Sequence, residues 1–280
     1  MNGSTLVRRA QPWLGTIVEI AVPAKSIQAV DAGFAAIRHV HERMSFHNET
    51  SDLVRLRSSA PGQIVSVDPL TVEVLEIASR LREATGGLFD ITIGRTLVRD
   101  DFLPDVSTDP LSLFDGKATD IVLLDAHRVR CDRRVLIDLG GIAKGFAVDR
   151  AVEALAAAGV SAGIVNAGGD ARVFGSVDHV VHIRSGDGSL NRALSIREGA
   201  IASSSNVRSR YWNGTSTRTP HIGPDGEPVV IDGVVSVVAN SAVMADAMTK
   251  VAMIDPDRAN RLLAEHGGAV VSAMLERVAA

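Results

Sequence analysis

The chain has 280 residues, of which 46% are hydrophobic, so it is long enough to bury a sizeable core and does not have the composition of a disordered chain. Its 29 lysine and arginine residues against 33 acidic residues give a net charge of −4, which offers no basic stripe for nucleic-acid binding. Cys131 is the only cysteine, which excludes an internal disulfide and a cysteine-ligated metal site within one chain.

The amino terminus lacks the pattern of a signal peptide. Met1 to Gln11 is followed by no apolar stretch of signal-peptide length, and nowhere do ~20 consecutive apolar residues occur. We therefore expect no membrane-spanning segment and a cytoplasmic location, or a periplasmic one if a leader has been trimmed. Residues 1–12 are interpreted as an N-terminal tail and residues 13–280 as a single domain.

The first half of the chain contains predicted strands and two predicted helices. Thr16 to Val22 alternates like a strand, and the apolar spacing that follows Ser26 predicts an amphipathic helix capped by that residue. A second helix is predicted from Asp68-Pro69 to Gly86-Gly87. Further strands are predicted over Phe89 to Ile93, and as an antiparallel pair over Ile121 to Leu124 and Val135 to Leu139.

The second half mixes helices and strands without a regular βαβ order. Helices are predicted over Ala143 to Ala158, Ala242 to Ile254 and Pro256 to His266. Strands are predicted over Gly163 to Asn166, Val180 to Arg184, Ala193 to Ile201, Ser236 to Ala239 and Ala269 to Ser272. This mixture favours an α+β fold with largely antiparallel sheets and packed helices.

Four segments concentrate glycine, acidic and hydroxyl residues: Thr85 to Asp90, Asp138 to Gly145, Asn166 to Asp170, and Ala245 to Lys250. Singly, each is more often structural, because glycine pairs beside a strand end commonly turn the chain. The second is the most informative, since glycines lead into a helix whose first turn holds Lys144 and whose backbone N–H groups can bind an anion. It matches neither the Walker loop nor the dinucleotide fingerprint.

In their order and spacing, these segments resemble the ApbE family of FAD:protein FMN transferases. The resemblance covers nearly the whole chain, from Leu14-Gly15-Thr16 to the region of Asp246. The other stretches that carry it are Met44-Ser45-Phe46 with Ser51-Asp52-Leu53, Thr85 to Thr92, Asp138 to Asp149, Asn166 to Asp170, Ala202 to Asn206, and His221-Ile222.

The resemblance implies a cavity that binds FAD, with Mg²⁺ at the pyrophosphate, and attack on this pyrophosphate by a threonine or serine of an acceptor protein. AMP would leave, and FMN would stay attached through a phosphoester. The implied FAD contacts are Leu14, Leu88, Phe89, Asp90, Asp138, Lys144 and Ile222, and Phe46 or Phe89 could pack on the flavin ring. The implied metal ligands are Asp246, the carbonyl of Gly141, and Thr249.

Two residues are the candidate catalytic groups. Asp246 would hold the cation, and a carboxylate among apolar neighbours would be costly without a partner. His221 is the candidate general base, because a neutral imidazole can accept the proton of the acceptor hydroxyl near neutral pH.

The sequence departs from the family most clearly at Lys250, where the family usually has threonine four residues after the aspartate. On a helix this position lies above Asp246, so Lys250 could pair with the carboxylate or stand where the cation would be. Arg57 also replaces a common asparagine. A cation is the preferred interpretation, and supply of the positive charge by Lys250 itself is the alternative.

The leading hypothesis is therefore a flavinylating transferase that uses FAD as donor and a protein hydroxyl, on a subunit of a redox chain, as acceptor. The alternatives are an Mg²⁺-dependent FAD pyrophosphatase, in which water attacks the same phosphate, and a non-catalytic FAD-binding protein in which Lys250 has replaced the metal.

Overall fold

The computed structural model of the chain describes residues 6–105, 109–176, 178–184 and 189–272. The described residues form two compact units. The first comprises the described parts of 1–41, 142–207 and 231–277, and the second comprises those of 42–141 and 208–230. The prediction of a single domain over 13–280 stays a prediction.

Helices and strands are mixed along the chain, as predicted. The α-helices are α1 (Val30–Met44), α2 (Asp52–Ser58), α3 (Pro69–Ala84), α4 (Gly94–Arg99), α5 (Ala143–Ala157), α6 (Ala242–Ile254) and α7 (Pro256–Ala264). The strands are β1 (Leu6–Trp13), β2 (Thr16–Pro23), β3 (Ile64–Ser66), β4 (Ile121–Asp125), β5 (Arg128–Cys131), β6 (Gly163–Ala167), β7 (Asp170–Phe174), β8 (His179–Arg184), β9 (Leu190–Ile196), β10 (Gly199–Ser204), β11 (Tyr211–Trp212), β12 (Thr217–Arg218), β13 (Val235–Ala239) and β14 (Ala269–Ser272).

The first unit is built on a seven-stranded sheet in the order β1-β2-β6-β7-β10-β13-β14. Every neighbouring pair in it is antiparallel. Helices α5 and α6 pack together and against the central strands, and the hairpin β8–β9 packs on apolar residues of the opposite face. Residues 6–12, which the sequence assigns to a tail, belong to β1 at the edge of this sheet.

The second unit contains the three-stranded sheet β3-β5-β4, the two-stranded sheet β11-β12, and helices α2 to α4. Helix α3 begins as predicted, because the Asp68 side chain accepts a hydrogen bond from the amide of Leu70, and Pro69 has the fixed φ suited to a first helical position. No helix among the described residues has the length and apolar composition needed to cross a bilayer.

Two predicted strands of the second unit are wrong. At Phe89 to Ile93, a carboxylate oxygen of Asp90 accepts from the amide and hydroxyl of Thr92, and this local turn replaces a strand ladder. The apolar residues of Val135 to Leu139 are buried, but the segment is not a strand. It is hydrogen-bonded to Phe89 to Ile93, since the Asp138 amide donates to the carbonyl of Ile91. The partner of β4 is instead β5, whose alternate residues Val129 and Cys131 are buried.

Two boundaries also differ from the prediction. A 3-10 turn occupies Ala24–Ala29, so helix α1 begins at Val30 and Ser26 does not cap it. The segment Ala193 to Ile201 is two strands, because the chain bends after β9 and reaches Gly199, with φ of 150°, at the start of β10. The other predicted strands and helices of the first unit are confirmed within a few residues.

Helix α6 is positioned by a carboxylate of helix α5. Asp149, which is 2% exposed, accepts hydrogen bonds from the amides of Ala242 and Val243 at 2.9 and 2.8 Å. The same carboxylate binds Arg172 of β7 at 2.6 Å. Because the first amides of a helix have no partners within it, a buried carboxylate there satisfies them and favours the positive end of the helix dipole.

Asp149→Ala is therefore expected to lower the free energy of unfolding by about 3 kcal/mol. This value is at the low end for the loss of one partner of a buried ion pair, because the Arg172 side chain is 26% exposed and can be hydrated. Urea unfolding measures this change. Glu153→Ala on the same helix is the control, since that side chain is 52% exposed and its loss should change stability by less than about 0.5 kcal/mol. Equal effects of the two substitutions would contradict the assigned role of Asp149.

Candidate functional site

The predicted site residues are divided between the two units. The first unit holds Leu14, Lys144, Asp246 and Thr249, and the second unit holds Phe46, Leu88, Phe89, Asp90, Asp138, Gly141, His221 and Ile222. Each group is described within its own unit.

Close packing of helices α5 and α6 places Asp246 beside the start of α5. A Cβ atom at Gly145 would lie 2.2 Å from the carbonyl oxygen of Ala242 and 2.8 Å from the Cβ atom of Asp246, so only glycine permits this approach. The amide of Gly145 donates to the Oδ2 atom of Asp246 at 3.0 Å. The Asp246 side chain is fully buried.

Two lysines and a second aspartate complete a lysine–aspartate cluster of Lys144, Asp170, Asp246 and Lys250. The Nζ atom of Lys144 lies 2.5 Å from Oδ2 of Asp170 and 3.5 Å from Oδ2 of Asp246. The Nζ atom of Lys250 contacts Oδ1 of Asp246 and donates to the carbonyl oxygen of Asp246 at 3.1 Å. The aspartates are buried, and the lysine side chains remain 31% and 18% exposed.

Asp170 is a residue of this cluster that the sequence-based site prediction lacks. It begins β7, directly after Gly168 and Gly169, whose φ angles of 64° and 108° allow the tight turn from β6. The signal was present, because the segment Asn166 to Asp170 was among the four glycine-rich and acidic segments. Only the pairing with Lys144, 26 positions away, distinguishes this aspartate from a turn residue.

The charges in the cluster shift the pKa values of its members. Burial lowers the pKa of Lys144, but the attraction of Asp246 and Asp170 outweighs burial and holds that pKa above its usual value. Burial acts to raise the pKa of Asp246, but Lys144 and Lys250 outweigh it and hold that pKa below its usual value. Burial and the charge of Asp246 raise the pKa of Asp170. Lys144 and Asp246 are therefore both charged at neutral pH.

Thr249, the predicted hydroxyl ligand of a metal, is directed elsewhere. Its side chain is fully buried, its Oγ1 atom lies 2.6 Å from the hydroxyl of Ser204, and it donates to the carbonyl of Asp246 at 2.7 Å. The contact with Ser204 connects α6 to β10. Thr249 therefore contributes to helix packing in this arrangement.

The oxygen atoms around Asp246 do not fit a resident divalent cation. Mg²⁺ requires oxygen ligands in near-octahedral geometry at ~2.0–2.1 Å. Here one carboxylate oxygen contacts the ammonium of Lys250, and the other accepts from the Gly145 amide and faces Lys144. Within the described residues, no group of three or more histidine, cysteine, aspartate or glutamate side chains could hold a metal ion.

In the first unit, Leu14 lies at the two-residue turn between β1 and β2. Its φ is 56°, and Gly15 follows with φ of 71°. A large side chain with positive φ is uncommon, and such backbone strain often occurs at functional positions. The strained position is consistent with a ligand contact, which stays a prediction.

In the second unit, several predicted flavin contacts have partners of their own. Both oxygens of Asp90 are bound, one by Arg82 at 2.8 Å and the other by Thr92. Phe46 is 6% exposed and packs in a small apolar cluster, and the guanidinium of Arg57 lies 4.8 Å from its ring centroid. Packing of Phe46 on a flavin would require that this guanidinium move away or that the opposite ring face open.

The remaining predicted residues of the second unit lie in loops. Asp138 accepts a hydrogen bond from the Gly140 amide at 3.2 Å, and Gly141 lies two residues before the first residue of α5. Leu88 is partly exposed, whereas Phe89 is buried and its amide donates to the Thr85 hydroxyl at 3.1 Å.

Thr219 fixes the backbone of His221. This buried side chain lies 2.8 Å from the His221 carbonyl oxygen and accepts from the His221 amide at 3.2 Å. His221 itself is partly exposed, and the next residue, Ile222, is buried and forms an isolated bridge to Pro228. The loop thus holds a histidine on a fixed backbone, which suits a group that must meet a substrate.

Sequence comparison places this architecture in a known family. A sequence model of the ApbE family matches residues 14–273. The FAD:protein FMN transferase of Rhodobacter capsulatus is 30% identical over 205 residues, which cover 67% of this chain and 39% of that protein. The protein of the same name from Treponema pallidum is 28% identical over 188 residues, 60% of this chain and 51% of that protein. The matched stretches thus span about half or less of these curated relatives.

Solved structures agree with this assignment. The ApbE protein of Thermotoga maritima superposes with a TM-score of 0.84 at 25% identity, covering 98% of this chain and 96% of that chain. The flavin transferase ApbE of Vibrio cholerae has a TM-score of 0.78 at 22% identity, with 95% and 92% coverage, which shows the shared fold. The predicted α+β fold is confirmed.

Gly145→Ala tests whether close packing of α5 and α6 positions Asp246. The added methyl group would collide with backbone atoms of Ala242, so we expect a loss of about 1–3 kcal/mol in the free energy of unfolding, as for other overpacked cores. Gly140→Ala is the control, because Gly140 is exposed and its nearest atoms would be 3.3 Å away in the Asp138 carboxylate. A parental urea midpoint for Gly145→Ala would show that the helices do not approach so closely.

Proposed function

We propose that this chain, which belongs to the ApbE family, transfers the FMN half of FAD to a threonine or serine hydroxyl of an acceptor protein and releases AMP. The curated relatives named FAD:protein FMN transferase support this function. The observation that carries it within the chain is the lysine–aspartate cluster, in which two ammonium groups are held at the ends of partly exposed side chains.

The cluster suits the binding of a pyrophosphate. An ammonium group has three N–H donors, and the aspartates and the Asp246 carbonyl accept from Lys144 and Lys250 through two contacts each. Counting contacts with the described residues, at least one donor of each lysine is therefore left for a phosphate oxygen. Phosphoryl transfer depends mainly on positioning and on neutralisation of charge, and both lysines would supply these at the phosphates of FAD.

The reaction exchanges the phosphoanhydride bond of the FAD pyrophosphate for a phosphoester bond to the acceptor. The acceptor hydroxyl oxygen forms a bond to the phosphorus of the FMN half, and the bond from this phosphorus to the bridging oxygen breaks. AMP leaves with the bridging oxygen and its electron pair. The hydroxyl proton passes to His221, the proposed base, and from there to solvent.

The partner of the chain in this reaction is an acceptor protein that presents a threonine or serine hydroxyl. FAD is then the donor substrate. Mg²⁺ was the preferred source of positive charge in the sequence-based prediction, but the arrangement around Asp246 supports the lysines in its place. No step of the proposed reaction depends on a metal ion.

A reaction with FAD separates this function from its alternatives. The chain is incubated with FAD and a threonine-bearing flavin-carrier domain of a redox subunit, and the products are resolved by chromatography and by flavin fluorescence in a denaturing gel. We expect AMP and a fluorescent acceptor band. AMP with free FMN would instead indicate a pyrophosphatase, and unchanged FAD would indicate a binding protein.

His221→Ala tests the base. If His221 removes the acceptor proton, the variant should bind FAD with parental affinity but transfer FMN ~10²–10⁴-fold more slowly. His127→Ala is the control, because His127 is an exposed loop residue of the same unit. Transfer by His221→Ala at the parental rate would remove His221 from the mechanism.

A further inference from the structure

We infer that Lys250 takes the place of a divalent cation at Asp246, so that this chain binds the FAD pyrophosphate through two lysines and needs no metal ion. The inference rests on the proposed function and extends it to the source of the positive charge. Three observations on the described residues support it.

The first observation is the geometry of helix α6. Lys250 follows Asp246 by four positions, so its side chain lies over the same face of the helix. Its Nζ atom contacts both a carboxylate oxygen and the backbone carbonyl oxygen of Asp246. The ammonium therefore already contacts the carboxylate through which Asp246 would hold a cation.

The second observation is the charge of the lysine–aspartate cluster. Its two carboxyl groups supply at most two negative charges, which two ammonium groups already balance. A divalent ion added at Asp246 would leave at least two uncompensated positive charges beside a fully buried side chain. Excess positive charge of this kind is costly in a low-dielectric setting, so binding of the ion would require that the Lys250 side chain move away.

The third observation is the position of the nearest hydroxyl. Thr249 is fully buried and is bound to Ser204 and to the Asp246 carbonyl. It would have to break helix-to-sheet contacts to become a ligand. The side chain that contacts Asp246 from the more exposed side of the cluster is therefore Lys250, which is 18% exposed.

The consequence is a fixed positive charge that cannot dissociate. Lysine carries a compact charge with rotatable donors, so the donor of Lys250 that is not bound to Asp246 can turn to a phosphate oxygen. Lys144 would contact the pyrophosphate in the same way. Affinity for FAD should then depend on position 250 and not on added metal.

The experiment measures FAD binding by quenching of flavin fluorescence, for the parent and for substitutions at position 250, in excess EDTA and in excess MgCl₂. We expect the parent to bind FAD equally in both solutions. Lys250→Met should lose on the order of tenfold to a hundredfold in affinity in both, as expected for a lost charge-assisted hydrogen bond. Lys250→Thr should lose a similar amount in EDTA and regain it in MgCl₂, because threonine frees Asp246 and adds an oxygen ligand.

Two further variants guard against unfolding and general charge effects. Asp246→Asn combined with Lys250→Met removes both charges, so it leaves no unpaired buried carboxylate and should also bind FAD weakly. Lys25→Met is the control for loss of one positive charge, because Lys25 is exposed in the 3-10 turn before α1, and it should bind FAD as the parent does. Calorimetric titration with MgCl₂ alone should show binding to Lys250→Thr and none to the parent.

Loss of FAD binding by the parent in EDTA, restored by MgCl₂, would overturn the inference. So would parental affinity in Lys250→Met, or binding of MgCl₂ by the parent at Asp246. FMN transfer is measured in the same two solutions. Transfer that stops in EDTA contradicts the inference and leaves the proposed function intact, whereas metal-independent FAD binding with no transfer contradicts the proposed function and leaves the inference intact.

Discussion

The close approach of helices α5 and α6 at Gly145 is the constraint on which the site depends. With no Cβ atom at this position, the backbone of α5 can reach the first turn of α6, and the Asp246 carboxylate is sealed from solvent beside it. A sealed carboxylate must be compensated by charge and hydrogen bonds. The Gly145 amide provides one hydrogen bond, and Lys144 and Lys250 balance the negative charge. Asp170 is the second acidic partner of Lys144.

Asp149 fixes the same pair of helices at a second point, one turn after Gly145. Because its carboxylate holds the first amides of α6, it sets where that helix begins and therefore how far along it Asp246 and Lys250 lie. Its bond to Arg172 ties both helices to β7, the strand that begins with Asp170. Two buried aspartates on this interface thus have different roles, one in helix position and one in the charge cluster.

Helix caps and turn residues correctly predicted those elements whose ends are determined by contacts within a few residues. The cap and proline of α3 and the glycine that ends α5 gave correct helices, because both signals act within one turn. Phe89 to Ile93 has the composition of a strand, but the Asp90 carboxylate accepts a hydrogen bond from the Thr92 amide, which a strand partner would otherwise bind. Composition alone does not indicate which of these hydrogen bonds forms. In the site, Lys144 was predicted as an FAD contact and Asp246 as a metal ligand, but their ion pair and the contact of Lys144 with Asp170 were not predicted, because no local pattern indicates contacts between distant positions.

Packing constrains Asp246 and Lys250 to different degrees. Asp246 is tied to another helix through Gly145, so its replacement disturbs the interface between α5 and α6. Lys250 makes its contacts to its own helix, one turn back, and its side chain reaches the surface. Packing therefore limits substitution at Asp246 more strongly than substitution at Lys250. Under the proposal that this cluster binds the FAD pyrophosphate, a single substitution at position 250 is enough to exchange a bound ion for an ammonium group within the same fold.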